Sequence, residues 1–185
     1  MHKMALLLML GASSCSLMPA ASLPLPAIPD ALRVPAGQSL ARTYLGRGTQ
    51  NYLCQKDATS GAATWTFTAP EAKLFDARSV EVGLHSAGPT WQVPDGSAVV
   101  GAVQARQSSA DTIPWLLLSA RSIAGPGLLS KVTFIQRLST TGGVAPSAGC
   151  DVGALGQVAK VPYTALYAFY EEGVPSSSAP AGTNY

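Results

Sequence analysis

One short segment of the chain gathers side-chain types that carry much of binding and enzyme chemistry. Residues 85–97 contain an imidazole at His85, an indole at Trp91 and a carboxylate at Asp95. A Gly-Pro pair after His85 and the Asp-Gly pair that Asp95 begins are turn signals, and they would bound a short strand. Such a strand would bring the three side chains to the edge of one cleft, with Trp91 as a flat platform and Asp95 as a hydrogen-bond acceptor. We therefore name His85, Trp91 and Asp95 as candidate ligand-binding residues.

The same three residues also have a structural interpretation. An Asp-Gly pair is a common hairpin turn, a tryptophan is usually part of the core, and a lone histidine usually bonds a backbone carbonyl. His85 has no second imidazole near it in the sequence, because the other histidine is His2. Both interpretations stay open, and no residue is assigned a catalytic role.

Several function classes lack the residues that they need. A zinc site of the usual type takes about three or four His or Cys ligands. If His2 leaves with a leader and two cysteines bond each other, His85 is the one imidazole left and that set cannot be supplied. There is no Gly-x-Ser-x-Gly elbow and no glycine-rich phosphate loop with a lysine. Charged residues make up 12% of the chain and the basic ones are scattered singly, so no nucleic-acid partner is expected. We expect no metal and no cofactor.

Two further groups of charged residues have weaker chemical interpretations. Glu71, Asp76 and Glu81 suggest paired carboxylates of the kind that cleave glycosidic bonds, although solvated residues at strand ends explain them equally well. Arg47 and Arg137 each lie inside an apolar or β-rich run. That setting favours half-buried arginines that pair with an aspartate or with backbone carbonyls, so we interpret both as structural.

The first residues have the features of a targeting segment. A lysine precedes an apolar run at 5–10 that is too short to span a bilayer as a helix, so residues 1–14 are predicted to be a signal peptide. The small residues before Cys15 resemble a bacterial lipobox, although Ala12 stands where leucine is commoner. Cys15 is therefore a candidate lipidation site. Ordinary signal-peptidase cleavage, which would leave the protein without an anchor, is the alternative.

The cysteine count indicates one disulfide. If Cys15 belongs to the leader or carries a lipid, Cys54 and Cys150 remain as a pair. A bond between them would close a loop of roughly a hundred residues and stabilise the fold by about 4 to 5 kcal/mol at most. We predict this disulfide and an exported protein that is periplasmic, lipid-anchored or extracellular.

Composition divides the rest of the chain into three parts. Residues 15–38 are rich in Pro and Ala and are predicted to form a tether, residues 39–173 form the folded domain, and residues 174–185 form a disordered tail. Within the domain, short β-rich runs alternate with turn residues, and we find no amphipathic helix of about twelve residues or more. We therefore predict an all-β, single-domain fold, either an antiparallel β-sandwich or a distorted β-barrel.

The strand pattern centres on residues 112–150, which hold the densest apolar runs outside the leader. Gly125-Pro126-Gly127 predicts a hairpin there, and nothing in this stretch indicates chemistry. A helix is an alternative at 163–170, but alternating aromatic residues favour a strand. A short turn is predicted at 70–74. The predicted strands are 41–45, 49–55, 63–68, 80–85, 89–93, 98–105, 115–120, 128–138 and 163–170.

Several strings in the domain resemble one known family. They are YLGRGTQNY at 44–52 with Cys54, GPTW at 88–91, DGS at 95–97, IPWLL at 113–117, IQR at 135–137, TGG at 141–143 with Cys150, and VPYT at 161–164. Together they resemble the family called domain of unknown function 3455, found in secreted bacterial and fungal proteins. The resemblance implies no established activity. Some fungal relatives carry a malate dehydrogenase label, but Gly125-Pro126-Gly127 lacks the third glycine and the following helix of a dinucleotide site.

These observations favour a non-enzymatic domain that binds a ligand or partner at the cell envelope or outside. The partner would be a small molecule, a glycan or an envelope component, and contact with the membrane would come only through a lipid at Cys15. The first alternative is an extracytoplasmic, hydrolase-like enzyme that uses His85 with an acidic residue. The second is a purely structural envelope protein.

Overall fold

The fold is a closed ring of antiparallel strands. The structure is a computed structural model that describes residues 22–173. In this part of the chain eight strands form one sheet, in which each strand pairs with its neighbour in sequence and the last pairs with the first. The arrangement is an up-and-down barrel. It confirms the predicted all-β class, and of the two predicted architectures the barrel is the one that forms.

The strands differ greatly in length. They are β1 (Gln38–Lys56), β2 (Ala63–Phe75), β3 (Glu81–Ser86), β4 (Thr90–Gln92), β5 (Ala98–Gln107), β6 (Trp115–Ala124), β7 (Val132–Gly142) and β8 (Val158–Glu172). Two short 3-10 helices, Asp30–Leu32 and Val152–Ala154, lie before β1 and between β7 and β8. The 19-residue β1 pairs with β2 on one side and β8 on the other, so it holds the ring closed.

Two glycines explain why the first strand is longer than its sequence predicts. The segments 41–45 and 49–55 were expected as separate strands, and that expectation is wrong, because both belong to β1. Gly46 and Gly48 lie between them without interrupting the pairing. A Cβ atom at Gly46 would lie 2.5 Å from Cε2 of Tyr167, so this glycine makes room for a core side chain.

A Cβ atom at Gly48 would lie 2.1 Å from the carbonyl oxygen of Glu71 in β2. Backbone atoms cannot give way as a flexible side chain can, so we expect Gly48→Ala to lower the free energy of unfolding by about 2 kcal/mol. Urea denaturation measures this. Gly153→Ala is the control, since its Cβ would meet the end of the Asp151 side chain at 3.3 Å. Equal stability of both variants would contradict the expected clash.

The predicted turn at 70–74 is also wrong, because these residues belong to β2. Pro70, Ala72 and Leu74 are buried, whereas Glu71 and Lys73 are exposed. That alternation has the period of two that defines a strand with one face in the core. The pattern is present in the sequence, but a proline and helix-favouring residues obscure it.

Inward-facing side chains of alternating residues fill the barrel. On β8 these are Tyr163, Ala165, Tyr167 and Phe169, which all belong to the buried core and confirm a strand rather than a helix at 163–170. One end of the barrel is closed by apolar residues of β5, β7 and the β6–β7 connection, namely Val99, Val132 and Leu129. The other ends of β5 and β7 border a cavity.

The described part of the predicted tether packs against the outer face of the barrel. Within residues 22–37, Leu32 is fully buried and its carbonyl accepts a hydrogen bond of 2.6 Å from Nε2 of Gln136. The hydroxyl of Tyr170 donates to Oε1 of the same Gln136 at 2.8 Å. Ile135 on the inner face of β7 and Gln136 on its outer face are both fully buried. β7 is therefore covered on both sides, as the apolar residues on both of its faces predict.

The predicted disulfide is present. Cys54 at the end of β1 is bonded to Cys150, which lies 96 residues later in the β7–β8 connection. Backbone hydrogen bonds reinforce the link, since Cys54 N donates to Gln157 O and Gly156 N donates to Cys54 O, both at 2.9 Å. A disulfide is compatible with an exported protein.

Several predictions fall on residues that the structure does not describe. The signal peptide at 1–14, the lipidation site Cys15 and the tail at 174–185 lie outside the described residues, and they stay predictions. Among residues 22–173 there is no helix with the length and apolar character needed to cross a membrane.

Candidate functional site

A cavity of about 540 Å³ opens at one end of the barrel. All eight strands contribute to its lining, together with the tight turn between β3 and β4 and the β5–β6 connection. Its lining residues are Gln50, Tyr52, Phe67, Thr68, Pro70, His85, Ala87, Gly88, Pro89, Trp91, Val103, Arg106, Ile113, Pro114, Leu116, Leu118, Arg137 and Tyr167. Most of these side chains are apolar or aromatic, and the polar ones are concentrated on a few inward-facing positions.

Three closely packed rings, two of them stacked, form one wall of this cavity. His85 and Trp91 face each other directly across the β3–β4 pair, and their rings stack with centroids 4.5 Å apart at an interplanar angle of 15°. Tyr167 of β8 packs against both, at 5.0 Å from His85 and 5.5 Å from Trp91. All three side chains are almost completely buried. The packing of Tyr167 against these two rings therefore joins the short β3–β4 hairpin to the opposite side of the barrel.

His85 is held as a neutral ring. Its Nδ1 lies 2.9 Å from the carbonyl oxygen of Thr90, and because a carbonyl only accepts, Nδ1 is the protonated nitrogen. Burial lowers the pKa of His85 to about 4, the hydrogen bond to Thr90 opposes that shift, and the positive charge of Arg137 adds to it. At neutral pH the cavity wall therefore carries an uncharged imidazole.

Arg137 brings a guanidinium group to the cavity from the inner face of β7. Its Nε donates to the carbonyl oxygen of Pro114 at 3.0 Å. Burial lowers the pKa of Arg137, and the neighbouring tyrosines Tyr167, Tyr163 and Tyr52 oppose that shift. None of the ion pairs among the described residues includes Arg137. Among the described residues the partners of this partly buried cation are thus a backbone carbonyl and the hydroxyl of Tyr167, and no carboxylate pairs with it.

Several polar atoms in and beside the cavity lining can make further hydrogen bonds. The hydroxyl groups of Tyr163 and Tyr167 lie 3.1 Å apart and bond each other. Gln50 is 2% exposed and its side chain reaches the Tyr163 hydroxyl, yet its Nε2 makes no hydrogen bond of normal geometry among the described residues. Nε1 of the buried Trp91 makes none either. Both unpaired atoms are donors, and both belong to residues that line the cavity.

The mouth of the cavity is apolar and open to solvent. Phe67 is 48% exposed and Val103 is 43% exposed, and both line the cavity. Tyr52 packs edge-on against Phe67 with ring centroids 5.7 Å apart, and its hydroxyl donates to the carbonyl oxygen of Gly143 at 2.6 Å. The Tyr52 hydrogen bond fixes one side of the opening to the segment that follows β7.

The structure brings together two of the three candidate ligand-binding residues. His85 and Trp91 both line the cavity, whereas Asp95 lies at the other end of the barrel. The carboxylate of Asp95 accepts hydrogen bonds from the hydroxyl of Ser97 at 2.7 Å and from the backbone N–H of Leu128 at 2.7 Å. These bonds fasten the β6–β7 connection over the closed end of the barrel. Whether His85, Trp91 and Asp95 bind a ligand stays a prediction.

The acidic residues considered for glycosidic chemistry do not meet at the cavity. Glu71 pairs with Lys160 and Glu81 pairs with Lys73, each at 2.8 Å. Asp76 accepts hydrogen bonds in the turn before β3. The cavity lining contains no aspartate or glutamate. Within residues 22–173, no group of three or more His, Cys, Asp or Glu side chains is arranged to hold a metal ion.

Sequence reasoning missed Arg137, Tyr167 and Gln50 as parts of the candidate site. Arg137 was interpreted as a structural arginine that pairs with an aspartate or with backbone carbonyls, and in the structure it bonds the carbonyl of Pro114. Its place beside the cavity follows from the parity of β7, since Arg137 lies on the same face as the buried Ile135. A charged residue on an inward strand face was the available signal.

The comparisons with known proteins define a family without defining an activity. A family model described as "Protein of unknown function (DUF3455)" matches residues 35–171, which span nearly the whole barrel. No curated protein and no solved structure matches the chain. The function must therefore be argued from the geometry of the cavity.

Proposed function

The chain belongs to the DUF3455 family of proteins of unknown function, and we propose that it is a non-enzymatic protein that binds a small molecule inside the barrel. The observation that carries the proposal is the cavity of about 540 Å³ at the open end. Its volume lies in the range of roughly 300 to 1,000 Å³ that is typical of ligand pockets. Barrels of about eight strands have an interior just wide enough for one small ligand.

The composition of the wall supports binding of a largely apolar molecule. Aromatic and aliphatic side chains line most of the surface, and a few polar groups lie at defined places among them. Phe67 and Val103 extend this apolar surface to the mouth, where they are exposed to solvent. A ligand that covered them would remove apolar surface from water, which is the main driving force for such association.

The same geometry favours binding over catalysis. An enzyme that used His85 as a base would need a substrate proton or a nucleophile within hydrogen-bond reach and a pKa near the working pH. His85 instead stacks on Trp91, bonds Thr90 and has a pKa of about 4. The hydrolase-like alternative also needs an acidic partner, and the lining residues include none.

The occupant that fits best is a small molecule rather than a glycan. Carbohydrate hydroxyl groups need several acceptors as well as a flat aromatic surface, and the cavity has no carboxylate to supply them. Trp91 is 1% exposed, so its face is covered by protein side chains instead of forming an open platform. Export, with or without a lipid at Cys15, would place this binding site at the cell envelope or outside.

Titration with N-phenyl-1-naphthylamine, a neutral dye whose fluorescence rises in apolar surroundings, tests the proposal. We expect saturable binding to one site per chain. Val103→Trp should weaken this binding at least about tenfold, because an indole at the mouth would fill part of the cavity. Val80→Trp is the matched control, since Val80 is 51% exposed and is not part of the lining.

Two results would contradict a binding function for the cavity. One is the absence of saturable dye binding to a chain that circular dichroism shows to be folded. The other is equal dye affinity in the Val103→Trp and Val80→Trp variants, because that would place the dye elsewhere on the surface. A melting temperature that rises with dye concentration would be independent support.

A further inference from the structure

The charged residues of the cavity lining define the chemical class of the ligand more closely than the cavity volume does. We propose that the ligand carries an anionic group, such as a carboxylate, that is bound by Arg137 at the inner end of the cavity, while its apolar part lies against the mouth. This inference rests on the proposed binding function. It adds the chemical class of the ligand, namely an apolar or aromatic monoanion.

Arg137 has no counter-ion among the described residues. Arg137 is partly buried, bonds one backbone carbonyl through Nε, and takes part in none of the ion pairs of residues 22–173. Taking a charge out of water is costly unless it is paired, so a guanidinium in this position is a strong site for an anion. A carboxylate matches its planar fork of N–H donors. The guanidinium bonds Pro114 through Nε and also contacts the Tyr167 hydroxyl, which leaves further N–H donors for an anion.

The unpaired polar atoms in the cavity lining are donors. Nε2 of Gln50 and Nε1 of Trp91 are buried without a hydrogen bond of normal geometry in the described part of the chain. Buried polar groups are nearly always hydrogen-bonded, so each such exception calls for an explanation. A carboxylate only accepts hydrogen bonds, so an anionic ligand would provide an acceptor for the buried Nε2 donor of Gln50.

No group in the cavity lining would repel an anion. Of the charged residues, Arg137 and Arg106 line the cavity, and no aspartate or glutamate does. Arg106 is exposed and lies near the mouth, where it would attract an anion from solution. His85 is neutral at pH 7, so the positive charge at the inner end comes from Arg137.

The apolar wall defines the remainder of the ligand. Phe67, Val103 and Ile113 line the cavity together with several prolines and leucines. A small inorganic anion would satisfy Arg137 but would leave this surface wet, whereas an aromatic or branched carboxylate would cover both. The cavity thus favours a molecule with one charged end and an apolar body.

Isothermal titration calorimetry with 2-naphthoate and 2-naphthamide tests the inference, because the two probes share a ring system and differ in charge. We expect the folded chain to bind 2-naphthoate about 100-fold more tightly than 2-naphthamide, the value of a charge-assisted, bidentate contact. Arg137→Met should remove this difference, and Arg137→Lys should restore part of it. Arg121→Met is the matched control, because Arg121 is exposed on β6 and is not part of the lining.

The outcomes separate this inference from the proposed function. Equal affinity for the two probes, or an unchanged preference in Arg137→Met, would overturn the anion site while leaving the cavity a binding site. Failure of both probes and of N-phenyl-1-naphthylamine to bind would overturn both proposals. Should Arg137→Met fail to fold, the Arg137→Lys variant and the comparison of the two probes on the unmodified chain still decide the question.

Discussion

Replacing Cys54 and Cys150 together by alanine should lower the free energy of unfolding by about 4 kcal/mol. The two residues are bonded across a sequence separation of 96, so the crosslink removes much of the freedom of the unfolded chain. Loop-closure entropy of this size predicts about 4 to 5 kcal/mol, and the lower figure allows for residual structure in the unfolded state. Urea denaturation of the oxidised chain and of the double variant measures the difference.

The variant should still form the barrel and keep its cavity. Cys54 N and O remain bonded to the backbone of the β7–β8 connection, and Nε1 of Trp65 donates to Ala148 O at 2.9 Å in the same region. Neither cysteine lines the large cavity, so binding of N-phenyl-1-naphthylamine should be unchanged under native conditions. Reduction with dithiothreitol should destabilise the natural chain to the same extent and leave the double variant unaffected. Identical urea midpoints for the oxidised chain and the double variant would show that the crosslink contributes little.

What could be predicted from the sequence is mostly what local patterns determine. Alternating residues of β8 predict a strand with Tyr167 and Phe169 on one face, and both are core residues. His85 and Trp91 are neighbours because a tight turn makes them direct partners in the β3–β4 pair, and a turn is a local feature. The cysteine pair follows from counting, because assigning Cys15 to the predicted leader or to a lipid leaves Cys54 and Cys150.

What could not be predicted depends on how the ring closes. Pairing between β1 and β8 brings Tyr167 against His85, and no local pattern specifies that partner. Asp95 follows Trp91 closely in sequence, but β4 is so short that the chain has left the cavity when it reaches the turn. The sequence does show that Arg137 places a charge on an inward strand face. It does not show that no carboxylate of the described residues pairs with Arg137, because that depends on how the barrel folds.

The second large effect concerns acid stability, and we attribute it to His85. Burial lowers its pKa from 6.5 to about 4 in the folded protein, so the unfolded chain binds the proton more readily. The stability that the neutral His85 contributes is therefore fully present above pH 6.5. It is lost as the pH falls from 6.5 to about 4, and below that value His85 causes no further loss. The predicted total loss is on the order of 3 kcal/mol, from the shift in pKa.

The pH range of this loss distinguishes His85 from the carboxylates. Asp57 and Asp76 also have lowered pKa values, each through hydrogen bonds within its own turn. Hydrogen bonds from Ser97 and Leu128 lower the pKa of Asp95, and Lys160 lowers that of Glu71. For lowered carboxylates stability is lost only as the pH falls below their ordinary values near 4. A decline between pH 6.5 and 5 therefore reports the histidine. Urea denaturation at a series of pH values in a His2→Gln background measures it with one imidazole present.

Substitution of His85 converts this dependence into a test of what the residue does. His85→Phe keeps a ring to stack on Trp91 but removes the titrating group, so its stability should be flat between pH 6.5 and 5 although lower at pH 7, where the bond to Thr90 is lost. Nuclear magnetic resonance titration of the single imidazole should give a pKa near 4. A value near 6.5 would contradict the buried, neutral state. It would also restore His85 as a base for catalysis, since a general base needs a pKa close to the pH at which it works. The pH dependence of stability and the imidazole titration thus decide whether His85 is a neutral lining residue of a binding cavity or a reactive group within it.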